Sequence, residues 1–253
     1  MPFTEHLEVL RRMLWRLACV LIVLMVALFC LKDSVFSLLL APKEFDFITF
    51  RTIEQILHQM GSTFSFEPYH ISLINTELSG QFMAHMQTSF YLAVLLASPY
   101  IIIELFGFIA PALYDHERHL AVRVGVVMYL LFTVGVVINY FLIFPISFRF
   151  LGTYQVSDDI TNTITLDSYI SSFSTLTFLM GLVFQLPIIS WILGKIGLLK
   201  AKYMTRYRRH AFFGILVLSA IITPPDIFTL VLVAIPLYLL YEVCIHIVRK
   251  MEK

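Results

Sequence analysis

Apolar residues in this chain gather in runs far longer than the core of a soluble domain needs. A helix crossing a hydrocarbon layer about 30 Å thick takes roughly 20 of them. Six runs approach or meet that length. They predict spans over 13–31, 88–108, 122–144, 169–193, 211–222 and 227–248. The fifth is short: at 1.5 Å per residue it covers only roughly 20 Å. Ahead of the first span, 3–12 reads as a short amphipathic helix, with Thr4 as N-cap and Leu7, Leu10 and Leu14 on one stripe. The segment 32–86 carries Asp33, Glu44, Asp46, Glu54, Glu67 and Glu77, yet it is rich in Phe and Ile. It is expected to fold against the membrane face, with a helix over 53–60 ended by Gly61. Between 64 and 78, strand and helix fit equally. Pro99, Pro187 and Pro236 fall inside spans, and Pro145 closes the third. Such prolines are tolerated where neighbours re-satisfy the freed carbonyls; they bend helices, so a curved bundle is expected. The turn Thr223-Pro224-Pro225-Asp226 joins the last two spans. No internal repeat marks an inverted-repeat transporter.

Composition turns six apolar runs into a membrane protein. Of 253 residues, 59% are hydrophobic and 14% charged, against about 25% charged in a soluble domain. The expectation is a single integral membrane domain over 1–253, all-α, with six transmembrane helices. Charge sets its direction. Fourteen of the 18 Lys and Arg residues fall in alternate gaps or at the ends: Arg11, Arg12 and Arg16; Arg118 and Arg123; six between Lys195 and Arg209; and Arg249, Lys250 and Lys253. Cytoplasmic loops retain basic residues, so both termini are expected in the cytoplasm. The formal net charge of +1 gives no reason to expect nucleic acid. No cleavable signal peptide is expected, because the first apolar run lacks a small-residue cleavage site. Cys19, Cys30 and Cys244 show neither metal spacing nor a disulfide framework and are expected as buried small hydrophobes. No H-E-x-x-H, G-x-S-x-G or phosphate loop is present. No enzyme and no cofactor are therefore expected.

Polar groups are expensive inside a bilayer, about 2.5–3.5 kcal/mol for an ionised side chain on insertion scales. Four stand within spans or at their ends: Glu104, Gln185, Asp226 and Glu242. Glu104 is the leading functional candidate. Its other reading is a protonated carboxyl bonded to a neighbouring helix. Gln185 could serve as interhelical glue, and Glu242, expected near Arg249, could snorkel to the interface.

The string Phe108-Ile109-Ala110-Pro111-Ala112-Leu113-Tyr114-Asp115-His116-Glu117-Arg118 resembles the F-x-x-P-A-L-Y-x-x-E-[RK] signature of the TatC family, the multispanning core of the twin-arginine protein translocase. His6-Leu7 with Leu10-Arg11, Ala41-Pro42, and Thr223-Pro224-Pro225-Asp226 with Ala234-Ile235-Pro236 agree with it. The resemblance implies a six-helix concave bundle whose last two helices are short. It implies a receptor in the cytoplasmic (inner) membrane that binds twin-arginine signal peptides of folded cargo. Implied partners are TatA- and TatB-type single-span proteins and further copies of the chain, with the protonmotive force as drive. The rival is a proton- or ion-coupled small-solute transporter, which would also place a carboxyl at Glu104. Two signal arginines need carboxylate acceptors, which take guanidinium forks bidentately. Glu117 matches the family's signal-binding glutamate, and Asp115 is a second acceptor. Arg11 matches a family residue of functional weight, and Phe108 and Pro111 frame the loop. The family's N-terminal glutamate is replaced by Val9, with Glu8 one residue earlier, a turn of about 100° on a helix. Glu8 could instead pair with Arg11 or Arg12. The family's fourth-span glutamate is Gln185 here. Glu104 stands where a neutral polar residue is common, as if the carboxyl had moved to the neighbouring helix. Leu230 replaces a glutamine four residues after Asp226. Pro42 is carried over as a structural residue of the first outer loop.

Overall fold

A computed structural model describes residues 3–63, 65–109, 118–157 and 162–252. It is almost wholly helical. Helix α1 (Phe3–Cys30) leads through a tight turn at Leu31 into α2 (Lys32–Leu40). After α3 (Ile48–Gln59) comes α4 (Gly80–Ile109), and α5 (Arg118–Ile138) is continued by α6 (Phe144–Thr153). The fourth span is split into α7 (Leu166–Val183) and α8 (Leu186–Lys195). Then follow α9 (Ala201–Arg206), α10 (Arg208–Ile222) and α11 (Ile227–Met251). Two-residue strands β1 (Leu73–Ile74) and β2 (Ile164–Thr165) pair in parallel, so part of the segment left open between strand and helix is extended.

Among the described residues, five helical rods are long and apolar enough to cross a membrane. With α10 they make the six expected helices. Their outer surfaces are apolar: Trp15, Ile22, Val23 and Val26 are all exposed on α1. A water-facing surface of this kind would be unfavourable, whereas lipid accepts it.

Several boundaries differ from expectation, each for a local reason. The amphipathic segment 3–12 is no separate helix. It runs straight into the first span, so Thr4 lies inside α1 and not at its cap. Pro145 does not close the third span. The backbone widens into a π turn over Asn139–Ile143, where Phe144 N–H reaches Asn139 O, and Pro145 then enters the next helical piece where no N–H is needed. α10 is short, with 15 residues, because Pro224 and Pro225 stop it. α11 is not short. It has 25 residues, about 37 Å, and nothing breaks it before Arg249 and Lys250, which suit a helix C-terminus. Cys244 is buried as expected, but Cys19 and Cys30 are exposed on α1, where lipid accepts a small apolar thiol. Gly61 ends α3 with φ +84°, the left-handed geometry glycine tolerates.

Packing is antiparallel between sequence-distant neighbours. α1 lies along α4, with Arg16 beside Glu104 near one end and Phe29 stacked on His85 at 3.9 Å near the other. α5 lies along α7. Asn139 Nδ2 donates to Thr177 Oγ1 at 2.8 Å, and both residues are buried. The main core joins α6, α7 and α11 around Phe144, Tyr169, Met180, Val233 and Leu237.

The end of the bundle away from most basic residues carries a cap. Pro42 is buried in a 3-10 turn over Ala41–Lys43. Arg149 faces three rings, Phe66 at 4.3 Å, Tyr69 at 5.0 Å and Phe50 at 5.2 Å, and donates to Glu67 O at 3.2 Å. Tyr169 donates to Leu39 O at 2.8 Å, and Thr49 donates to Phe141 O. The segment expected to fold against the membrane face packs on this end of the bundle, fixed by side chains of the third and fourth spans.

Candidate functional site

At the basic end, α1 and α4 set the register. Arg16 Nη2 lies 3.3 Å from Glu104 Oε2, and Tyr100 Oη donates to Glu104 Oε1 at 2.9 Å. Glu104 is therefore a partnered carboxyl held between two helices and not an isolated acid in lipid. From Arg16, eight residues of helix carry α1 about 12 Å further to Glu8. From Glu104, five residues carry α4 about 7 Å to its end at Ile109. The two helices thus bring the Glu8 region and the start of the α4–α5 connection to the same end of the bundle.

Glu8 is exposed and accepts from Arg12 Nη2 at 2.6 Å. The pairing falls on Arg12, four residues on, and not on Arg11, which stays exposed. An exposed pair of this spacing is worth a few tenths of a kcal/mol, so an incoming guanidinium can displace it. Pro111, Asp115 and Glu117 lie outside the described residues, as does the side chain of Phe108.

Gln185 sits at the break between α7 and α8. Pro187 cannot donate to the preceding turn, and Gln185 N–H turns to Leu182 O at 3.0 Å, leaving Gly181 O behind. The Gln185 side chain reaches back to Gly181 O at 3.5 Å and donates to Met128 O of α5 at 3.0 Å. It is interhelical glue that also mends its own helix. Among the described residues no hydrogen bond or ion pair joins Gln185 to Glu104; they engage different helix pairs.

Asp226 caps α11, its Oδ1 accepting from Thr229 N–H at 2.6 Å, while Oδ2 is buried without a partner among the described residues. Glu242 pairs with Arg208 of α10 at 2.7 Å. This corrects the expected approach to Arg249, which lies two turns further along its own helix. Sequence reasoning missed Arg16, Tyr100, Asn139 and Arg208. The signal available was polarity within apolar runs, which Asn139 and Arg16 both show, but their partners are far away in sequence. Among the described residues no group of His, Cys, Asp and Glu could hold a metal.

Comparison with known proteins gives one answer. The chain matches the family described as TatC, Sec-independent protein translocase protein, over residues 5–236. It is 36% identical over 251 residues to the Sec-independent protein translocase protein TatC of Blattabacterium sp. subsp. Periplaneta americana (strain BPLAN), covering 98% of this chain and 94% of that protein. To the protein of the same name from Escherichia coli (strain K12) it is 31% identical over 253 residues, covering 98% and 88%. A crystal structure of the twin arginine translocase receptor TatC superposes with a TM-score of 0.75 at 27% identity, covering 98% of this chain and all of that one. These relatives are translocase components and not enzymes. The chain is a multi-pass membrane protein and belongs to the TatC family of Sec-independent protein translocase proteins.

Proposed function

We propose that this chain is the signal-recognising core of its translocase, in the cytoplasmic membrane with both termini inside. It binds twin-arginine signal peptides at its basic end and gathers TatA- and TatB-type single-span partners, and further copies of itself, into a complex driven by the protonmotive force. The observation that carries the reading is the register of α1 on α4, fixed by Arg16 and Glu104. That register supports a site formed jointly by the Glu8 region and the connection holding Asp115 and Glu117. Carboxylates are the acceptors that planar guanidinium forks require. Glu117 is the principal acceptor, Asp115 and Glu8 are further acceptors, and Arg11 contributes as a basic residue of the same end. Phe108 and Pro111 shape the loop. Asp226, Gln185, Glu104 and Glu242 belong to the surfaces where partners assemble. The alternation of basic loops supports the orientation with both termini inside, and membership of the TatC family supports the cytoplasmic membrane.

The test is site-specific crosslinking in membranes from position 117 to a twin-arginine signal peptide and to the same peptide with both arginines changed to lysine. The expected crosslink forms with arginine and is lost with lysine, since an ammonium cannot present the fork. Glu117→Ala should lose binding while the protein stays in the membrane. A crosslink indifferent to the arginines would refute the assignment of Glu117.

A further inference from the structure

A groove of about 600 Å³ runs between α5, α8 and α11 on the basic half of the molecule. Val127 and Val134 form one wall, Phe184 and Trp191 the second, Leu240 and Val243 the third. The floor is the small cluster of Val124 and Ile188. Basic groups gather at its mouth. Arg123 lines the groove itself and has no ion-pair partner among the described residues. The Lys195 ammonium lies 5.4 Å from the Trp191 ring centre. Lys250 follows Val243 and Ile247 at spacings of seven and three, which places it on the same face of α11. A Cβ on Gly194 would lie 3.5 Å from Val248, so the ends of α8 and α11 stand together there.

We infer that this groove is a binding site for one anionic phospholipid, an acyl chain lying along Val127, Phe184 and Leu240 and the phosphate held by Arg123, Lys195 and Lys250. An apolar slot with a tryptophan and several cations at one end matches the layering of a lipid, whose tail, interface and phosphate follow in that order. A zwitterionic lipid would satisfy the slot but would bring no net negative charge to Arg123, which has no ion-pair partner among the described residues.

The test uses the purified full-length chain in detergent, with native mass spectrometry during titration by phosphatidylglycerol or by phosphatidylethanolamine of the same acyl chains. The wild type should retain one phosphatidylglycerol in preference to phosphatidylethanolamine. Each basic residue near a lipid surface contributes about fivefold in affinity, so Arg123→Gln with Lys195→Gln and Lys250→Gln should weaken phosphatidylglycerol about a hundredfold. Phosphatidylethanolamine, whose ammonium offsets the charge of its own phosphate, should weaken far less. The three side chains are exposed, so the variant should melt like the wild type; Arg123→Gln alone should lose about fivefold and serves as the second measure. Lys202→Gln with Arg206→Gln and Arg249→Gln removes the same charge around a different pocket and should leave binding intact. Val127→Trp should fill the slot and abolish retention. Equal losses in both triple variants would overturn the site, and so would a wild type without preference or full retention in Val127→Trp. Photocrosslinking from position 127 to a signal peptide or a single-span helix in place of lipid would also overturn it.

Discussion

Gly135 of α5 lies tightly against the backbone of α7, and adding one methyl group there should be felt through the bundle. A Cβ at position 135 would lie 2.6 Å from the carbonyl oxygen of Met180, 3.0 Å from its carbon and 3.0 Å from Phe184 Cβ. The first two belong to backbone and cannot rotate away. Ordinary contact begins at 3.4 Å, so the helices would have to part by about 0.8 Å. A gap of that size forfeits roughly a quarter to a half of each contact it opens, and overpacking of this kind costs about 1–3 kcal/mol. Alanine returns up to about 1 kcal/mol through its helix propensity. With that gain in full, the net loss should be about 0–2 kcal/mol, or up to roughly 8 °C in Tm for a chain of this size, whereas Gly125→Ala takes the same gain without the overpacking cost. The hydrogen bonds flanking the contact, Asn139 to Thr177 and Gln185 to Met128, should stretch with it. Thermal unfolding in detergent, followed by circular dichroism, measures the shift. Gly125→Ala is the control, because its Cβ would sit 3.5 Å from Ile103 Cγ1, an ordinary contact. If Gly135→Ala melts with Gly125→Ala, the close crossing of α5 and α7 is not what holds the third and fourth spans together.

Glu104→Gln should reduce transport of a twin-arginine reporter more than Gln185→Leu, since it breaks an ion pair between helices where Gln185→Leu removes neutral hydrogen bonds; equal transport by Glu104→Gln and wild type would refute a role for the carboxylate. Asp226→Asn should keep the α11 cap and Asp226→Ala should lose about 0.5–2 kcal/mol; transport lost by Asp226→Asn at wild-type stability would instead mark the charge as a partner contact. Burial pushes the Tyr69 hydroxyl up to about 12 from its ordinary 10.0, with Glu44 adding to the rise and Arg149 opposing it. A folded-state value above the unfolded one makes Tyr69's contribution to the cap fully present below pH 10 and lost as pH rises through about 12. Limited proteolysis of the segment 41–79 should therefore accelerate across that window in the wild type, and in Tyr69→Phe this component of the acceleration should vanish.

What the sequence determined by itself is whatever short-range pattern encodes. Run length and apolarity gave the rods, because a helix in lipid must satisfy its backbone internally and present apolar side chains outward. Glycine at 61 and the prolines after Thr223 set two ends through backbone geometry alone. The signature from Phe108 to Arg118 carried the family. Tertiary structure decided the partner of each polar group. Glu104 waits on Arg16, 88 positions earlier, Glu242 on Arg208, and Arg149 on rings 80 to 99 positions away. A span's sequence states that a polar group is present and which face of its own helix holds it. It does not state how that helix is rotated against its neighbours, which is set by close-packed contacts such as Gly135 on Met180. For α11 the local pattern did suffice: the apolar run over 227–248 gave nearly the whole helix, and the shorter helix was expected only from the family resemblance. Local pattern could not show that Val127, Phe184 and Leu240 share one groove, since three helices separated by long stretches of chain must meet before it exists.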